Sequence, residues 1–151
     1  QLNRTYIAYG KKGIEMKERQ KKQDSNAMKS APSVMVQRSA TKASKYYKNK
    51  GWDMVDAEKE GTVNLETIKE ESLPEEMKQM TVKERKAYIA KKRDERTKLK
   101  TQINLLKKKR DQFIAEKRKK DAAGKTLDSA IIKAIKKQAA KKKYKFETEN
   151  K

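Results

Sequence analysis

One stretch of the sequence decides the fold, residues 81–121: TVKERKAYIA KKRDERTKLK TQINLLKKKR DQFIAEKRKK D. Thr81 and Glu84 have the spacing of a capping box, in which each side chain accepts a hydrogen bond from the other residue's backbone N–H. Neither glycine nor proline occurs from Val82 to Ala123, and good helix formers dominate. The stretch therefore predicts one helix over about 82–121, whose ~40 residues at ~1.5 Å each span roughly 60 Å.

This helix carries a narrow apolar stripe. Alternating steps of four and three residues, the spacing of a heptad seam, connect Leu99, Ile103, Leu106, Arg110 and Phe113. Further upstream, Lys92 and Arg96 occupy positions where apolar residues are expected. Their long aliphatic stems can cover apolar surface. The pattern predicts a thin seam interrupted by basic residues, typical of a coiled coil or a helical hairpin.

A second apolar stripe follows a short connection. Residues 122–125 connect the long helix to Thr126, which is a good N-cap for a last helix over about 127–142. Leu127, Ile131 and Ile135 recur there at four-residue steps. A short connection favours an antiparallel neighbour. The predicted fold class is therefore all-α: an extended helical assembly with a long central helix and an antiparallel C-terminal helix folding back onto residues 103–113.

The remaining residues predict shorter elements within a helical domain over 13–151. Residues 1–12 contain a strand-like run and are interpreted as the remnant strand at the end of an upstream domain. Helices are expected over 13–30 and 33–49, separated by Pro32, and short acidic helices over 52–80. The predicted core consists of Trp52, Val55, Leu99, Ile103, Leu106, Phe113, Leu127, Ile131 and Ile135.

Composition limits how much core the chain can build. Among 151 residues with a net charge of +21, only 23 are Leu, Ile, Val or Phe. Such values are typical of disordered chains, whereas the helical periodicity favours an ordered assembly with a thin core. Residues 51–80 carry nine acidic and three basic side chains, and the blocks on either side are basic. The acidic block is therefore expected to pack against the basic helices.

Several classes of chemistry are excluded or disfavoured by the composition. The chain contains no Cys and no His, which removes disulfides, thiolate sites, histidine metal ligands and the usual general base for nucleophilic catalysis. No catalytic constellation, cofactor site or metal site is predicted, and the expected function is non-enzymatic. No run of about 18 apolar residues occurs, so no membrane span is predicted.

Basic runs make a nucleic-acid partner the alternative hypothesis. Such runs would bind phosphate backbones without reading sequence, but no recognition motif accompanies them. A protein partner is therefore preferred. The candidate polyanion contacts are Lys107, Lys108, Lys109, Arg110, Lys117, Arg118, Lys119, Lys120, Lys141, Lys142 and Lys143.

Several segments together resemble a known family. The pattern Leu2-Asn3-x-Thr5-Tyr6-Ile7-x-Tyr9-Gly10 resembles the closing strand of a von Willebrand factor A (VWA) domain. Further segments resemble the region C-terminal to that domain in a group of bacterial VWA-domain proteins. They are Gln23-Asp-Ser-Asn-Ala27, Lys42-Ala-Ser44, Trp52-Asp-Met-Val-Asp-Ala57, Leu73-Pro-Glu75, Glu84-Arg-Lys-Ala-Tyr88 and Thr126-Leu-Asp-Ser-Ala130.

The resemblance implies that this chain is the helical C-terminal extension of such a protein. Its partners would be the upstream VWA domain in the same chain and a further protein. The location it implies is periplasmic or secreted. A VWA domain binds a divalent metal through an Asp-x-Ser-x-Ser motif, which this sequence lacks, so the resemblance transfers no metal site.

Overall fold

The computed structural model describes residues 1–120, 127–142 and 144. The all-α fold class is confirmed, with about 73% of the described residues helical. Two 3-10 helices cover Leu2–Thr5 and Glu70–Ser72. The α-helices are α1 (Gly13–Ser30), α2 (Pro32–Ala43), α3 (Met54–Lys59), α4 (Glu75–Lys78), α5 (Val82–Lys120) and α6 (Leu127–Lys141).

The predicted long helix is present as α5 and begins at the capping box. The Thr81 N–H donates to Glu84 Oε2 at 2.7 Å, and the Glu84 N–H donates to Thr81 Oγ1 at 3.3 Å. These bonds satisfy backbone donors that the first helical turn leaves without an intrahelical partner. Residues 121–126, which hold the predicted stop and the cap of the last helix, lie outside the described residues.

The chain forms two compact units, Gln1–Lys109 and Arg110–Lys151. In the first unit the acidic block packs against the beginning of α5, as its charge predicts. The Arg85 guanidinium donates to the carbonyls of Met77 and Lys78, each at 3.2 Å, and Lys86 pairs with Glu66 at 2.9 Å. Between these elements lies a core of buried side chains: Ile7, Met54, Val55, Leu65, Leu73, Met77 and Ile89.

The N-terminal residues depart from the predicted strand. After the 3-10 turn at 2–5, the chain is extended only as far as an isolated antiparallel bridge between Ala8 and Asp53. Gly10 then turns the chain into α1 with a φ of 70°, a conformation that favours glycine. Residues 1–12 belong to the first compact unit. Whether they also close an upstream domain stays a prediction.

Helix α2 is shorter than the predicted 33–49, because it ends at Ala43 and a turn follows. Backbone bonds fix this turn: the Asn49 carbonyl accepts from Trp52 N–H at 3.0 Å and from Asp53 N–H at 2.8 Å. The Asn49 N–H donates to Asp56 Oδ2 at 2.8 Å. Residues 44–51 therefore form a turn that leads into α3, and they do not extend α2.

The predicted core residues differ in burial along the chain. Trp52 and Val55 are buried, and Leu99 and Ile103 are half-buried. Helical periodicity shows which residues share a face, but it does not show that another element covers that face. The predicted core residues that are exposed are Leu106 (64%), Phe113 (59%), Ile131 (46%) and Ile135 (54%).

The second unit contains the end of α5 and the whole of α6. The Leu127 side chain lies outside the described residues, and the antiparallel placement of α6 against residues 103–113 stays a prediction. Within the part of the chain that the structure describes, no helix is long and apolar enough to cross a membrane.

Candidate functional site

The first unit is organised around Arg96, a buried guanidinium on α5 that is only 4% exposed. Its Nη1 donates to Asp53 Oδ2 at 2.6 Å and to Asp56 Oδ1 at 2.9 Å, and its Nη2 donates to Asp53 Oδ1 at 3.1 Å. Its Nε donates to Thr5 Oγ1 at 3.0 Å, and Nη2 also reaches the Thr5 carbonyl at 2.5 Å. One side chain thereby connects three segments that are far apart in sequence.

Asp53 is held in position for this contact by hydrogen bonds that its carboxylate accepts from the backbone. It is the N-cap of α3, where its Oδ2 accepts from the Asp56 N–H at 3.2 Å. Its Oδ1 accepts from the Ile7 N–H at 2.9 Å, and the side chain is fully buried. Both oxygens of this carboxylate therefore accept hydrogen bonds, which is the condition under which a buried ion pair is tolerated.

Tyr6 extends the network. The Arg96 guanidinium lies over the Tyr6 ring, 4.1 Å from its centroid, and the Trp52 ring stacks on Tyr6 with the ring centroids 5.7 Å apart. Burial raises the pKa of the Tyr6 hydroxyl well above its ordinary value, so the hydroxyl stays protonated. We call Thr5, Tyr6, Asp53, Asp56 and Arg96 the Arg96 network.

A second polar cluster lies between α1 and α2. Asp24 Oδ1 accepts from Arg38 Nε at 2.5 Å, and Asp24 Oδ2 accepts from Lys42 Nζ at 2.6 Å and from Asn3 Nδ2 at 2.7 Å. Lys42 also donates to Asn3 Oδ1 at 2.5 Å and lies 5.7 Å from the centroid of the Tyr6 ring. This Asp24 cluster therefore attaches the α1–α2 pair to the N-terminal segment.

Two opposing influences set the pKa of Asp24. Burial alone would raise it, but the hydrogen bonds from Lys42, Asn3 and Arg38 outweigh burial and hold the pKa below the ordinary carboxyl value. For Lys42 burial dominates and lowers the pKa of the ammonium group, although Asp24 opposes this. The hydrogen bonds that the ionised Asp24 carboxylate accepts therefore stabilise the fold, and protonation of Asp24 removes this contribution.

A cleft of about 310 Å³ lies beside the Asp24 cluster. Asp24 and Lys42 form part of its polar wall, and Leu99, Ile103 and Leu106 form part of its apolar wall on α5. These three seam residues therefore share one surface, as predicted, and within the first unit that surface lines a cleft.

Asp24→Asn is expected to lower the free energy of unfolding by about 2 kcal/mol at pH 7, because Lys42 loses its buried carboxylate partner. The folded-state pKa of Asp24 is lowered. The difference in unfolding free energy between the native chain and the variant therefore reaches its full size above the ordinary carboxyl pKa of about 3.9. It disappears as the pH falls through the lowered pKa. Denaturant unfolding from pH 3 to pH 7 measures it. Glu18→Gln, in an exposed pair with Lys21, is the control, and a pH-independent difference would contradict the assignment.

The candidate polyanion contacts are divided between the two units. Lys107, Lys108 and Lys109 are exposed in the first unit. In the second unit Arg110 is half-buried and lies 3.7 Å from Asp111. The side chains of Lys120 and Lys143 lie outside the described residues. The exposed candidates of the second unit are Lys117, Arg118, Lys119, Lys141 and Lys142.

The Arg96 network is absent from the sequence-based predictions, which treat Arg96 as a basic residue that interrupts the apolar seam. Two signals could have found it. Arg96 stands at a seam position, and Asp53 and Asp56 have the spacing of an N-cap and a first-turn acid beside the only tryptophan. A buried arginine needs such paired carboxylates.

Among the described residues, no group of three or more acidic side chains is arranged to hold a metal ion. No protein-family model, curated protein or solved structure matches this chain.

Proposed function

We propose that this chain is a non-enzymatic helical scaffold or protein-interaction extension of a larger bacterial VWA-domain protein. The observation that carries the proposal is the anchoring of the N-terminal segment. Two bonds from Arg96 hold Thr5, and the Ile7 N–H is held by Asp53. A domain that preceded this segment would be joined to α3 and α5 without a flexible linker, which is what a scaffold requires.

The resemblance of residues 2–10 to the closing strand of a VWA domain supports the same role. The segment that carries this resemblance is the one that the Arg96 network holds. The periplasmic or secreted location is part of the proposal and rests on the resemblance.

Exposed apolar side chains support interaction with a protein partner. Leu105 and Leu106 are 54% and 64% exposed in the first unit. In the second unit, three isoleucines of α6 are between 40% and 54% exposed: Ile131, Ile132 and Ile135. Contiguous exposed apolar surface on a regular helix is typical of protein interaction sites.

The gene sequence immediately upstream of the Gln1 codon tests the link to a VWA protein. We expect it to encode an Asp-x-Ser-x-Ser motif within a domain of alternating strands and helices. Limited trypsin digestion of the longer protein should then spare Arg4, because the Thr5 contacts order the backbone beside it. An upstream sequence without the motif, or rapid cleavage at Arg4, would contradict the proposal.

The alternative function is sequence-independent binding of nucleic acid, favoured by the exposed basic side chains at residues 107–109 and 117–119. We expect a random 20-base-pair duplex to bind with a Kd weaker than about 10 μM at 150 mM salt, because no recognition motif accompanies these exposed basic side chains. Fluorescence anisotropy at several salt concentrations measures this. Submicromolar binding with a steep salt dependence, lost in Lys117→Gln/Lys119→Gln, would favour the alternative.

A further inference from the structure

A cleft of about 290 Å³ lies beside the turn that follows α2. Its walls come from that turn, from the end of α3 and from α5. This volume is near the lower end of the range for small-molecule sites. The polar side chains that line it include Ser44, Tyr47, Lys59, Lys100 and Asn104.

The positive charge of this cleft exceeds its negative charge. Its two carboxylates are already engaged: Asp56 accepts from Arg96 at 2.9 Å, and Glu60 accepts from Lys48 at 2.7 Å. Within the described residues, Lys59 and Lys100 form no ion pair. Lys45, which also lines the cleft, forms no ion pair among the described residues either, so the cleft has an excess of positive charge, which favours an anion there.

The pKa of Lys100 is lowered in this cleft. Burial lowers the pKa of its ammonium group, and the positive charges of Arg96 and Lys59 lower it further, although Asp56 opposes them. A bound anion would add negative charge beside Lys100 and would therefore oppose this lowering of its pKa, as Asp56 already does.

Neutral donors complete the cleft. Asn104 lies one helical turn beyond Lys100 on the same face of α5. The Tyr47 hydroxyl accepts from Gln20 Nε2 at 3.3 Å, which leaves its own proton available to donate. With the Ser44 hydroxyl, these groups can bond several oxygens of one ligand.

We propose that this cleft binds a small anion of the phosphate class, such as pyrophosphate or a phosphomonoester. Lys59 and Lys100 supply positive charge from two sides of the cleft, and lysine binds phosphate as a point charge without needing a planar fork. Three neutral donors suit a tetrahedral group with three free oxygens better than a carboxylate with two. The proposal goes beyond the scaffold function and does not depend on it.

Calorimetric titration with pyrophosphate at 150 mM salt tests the site. The native chain is expected to bind with a Kd of about 0.1–1 mM. Lys59→Met/Lys100→Met should weaken binding by about tenfold or more, while Lys83→Met/Lys91→Met, which removes the same charge from exposed positions of α5, should change it by less than about twofold. Equal weakening by the two double variants, or no saturable binding by the native chain, would overturn the proposal.

Two further measurements keep the test decisive. If Lys59→Met/Lys100→Met fails to fold, Lys59→Met alone, at an exposed position, should still weaken binding by about threefold, and an unchanged Kd would overturn the proposal. Short oligonucleotides with and without a 5′-phosphate distinguish the sources of the phosphate. Competition only by the phosphorylated form supports a terminal-phosphate site, and equal competition by both forms would overturn it.

Discussion

Arg96→Met should lower the free energy of unfolding of the first unit by about 3–5 kcal/mol, because it leaves Asp53 buried without a countercharge. Asp53 keeps its bonds from the Ile7 and Asp56 N–H groups, but these are neutral donors. Thr5 loses both of its bonds from Arg96 at the same time. Trp52 is the only tryptophan and stacks on Tyr6 beside the network, so its fluorescence in a urea titration reports this unit specifically.

The control for this variant lies one turn earlier on α5. Arg93 pairs with Glu58, and about a third of each side chain is exposed. Arg93→Met is expected to cost less than about 1 kcal/mol, since partly solvated pairs contribute little. Equal losses in Arg93→Met and Arg96→Met would mean that the Arg96 network contributes nothing beyond an ordinary surface pair.

A second substitution separates loss of charge pairing from loss of packing. Asp53→Asn retains an oxygen that can accept a backbone N–H, but it removes the buried negative charge. In the Arg96→Met background it should therefore recover at least about 1 kcal/mol of the lost stability. No recovery in the double variant would show that the loss comes from packing around the guanidinium.

The sequence predicted those parts of the fold that local rules determine. The capping box at Thr81 and Glu84, the long helix and the helix after residue 126 follow from spacing and helix propensity. Contacts between residues that are far apart in sequence do not follow from such local rules. Arg96 meets partners 43 and 91 residues away, and no local pattern shows whether a charged residue on a seam faces water or a buried carboxylate.

Because a local pattern does not show non-local contacts, it also did not show that the predicted core residues would differ in burial. Leu99, Ile103 and Leu106 all line one cleft, but Leu99 and Ile103 are half-buried whereas Leu106 is exposed. Phe113, in the second unit, continues the same period and is exposed as well. The spacing is equally regular at all four residues, so it does not show how much of each side chain its neighbours cover.

A chain with so few large apolar side chains can still order its first unit, because polar contacts replace part of the missing core. The Arg96 network joins the N-terminal segment to α3 and α5, and the Asp24 cluster joins the same segment to α1 and α2. Each buried charge in them has an opposite charge within hydrogen-bond distance. Unlike apolar contacts, these pairs fix geometry, which fits a unit whose proposed role is to hold its neighbours in place.

Ile7→Ala should destabilise the first unit by about 3–4 kcal/mol, because it opens a cavity among Met54, Met77 and Ile89. Ile7 is 1% exposed, and its backbone is held on both sides: its N–H donates to Asp53, and its carbonyl accepts from the Met54 N–H at 2.8 Å. The Ile7 backbone is therefore held in place and does not shift to fill the cavity. Urea unfolding followed by Trp52 fluorescence measures the loss.

Ile14→Ala is the matched control, since Ile14 is 77% exposed at the start of α1. It should change the free energy of unfolding by less than about 0.5 kcal/mol. A large difference between the two isoleucines would mean that residues 5–7 are part of the core of the helical unit. Equal and small effects would mean instead that the N-terminal segment is only loosely attached, and a domain joined through it could not be held in position by α3 and α5.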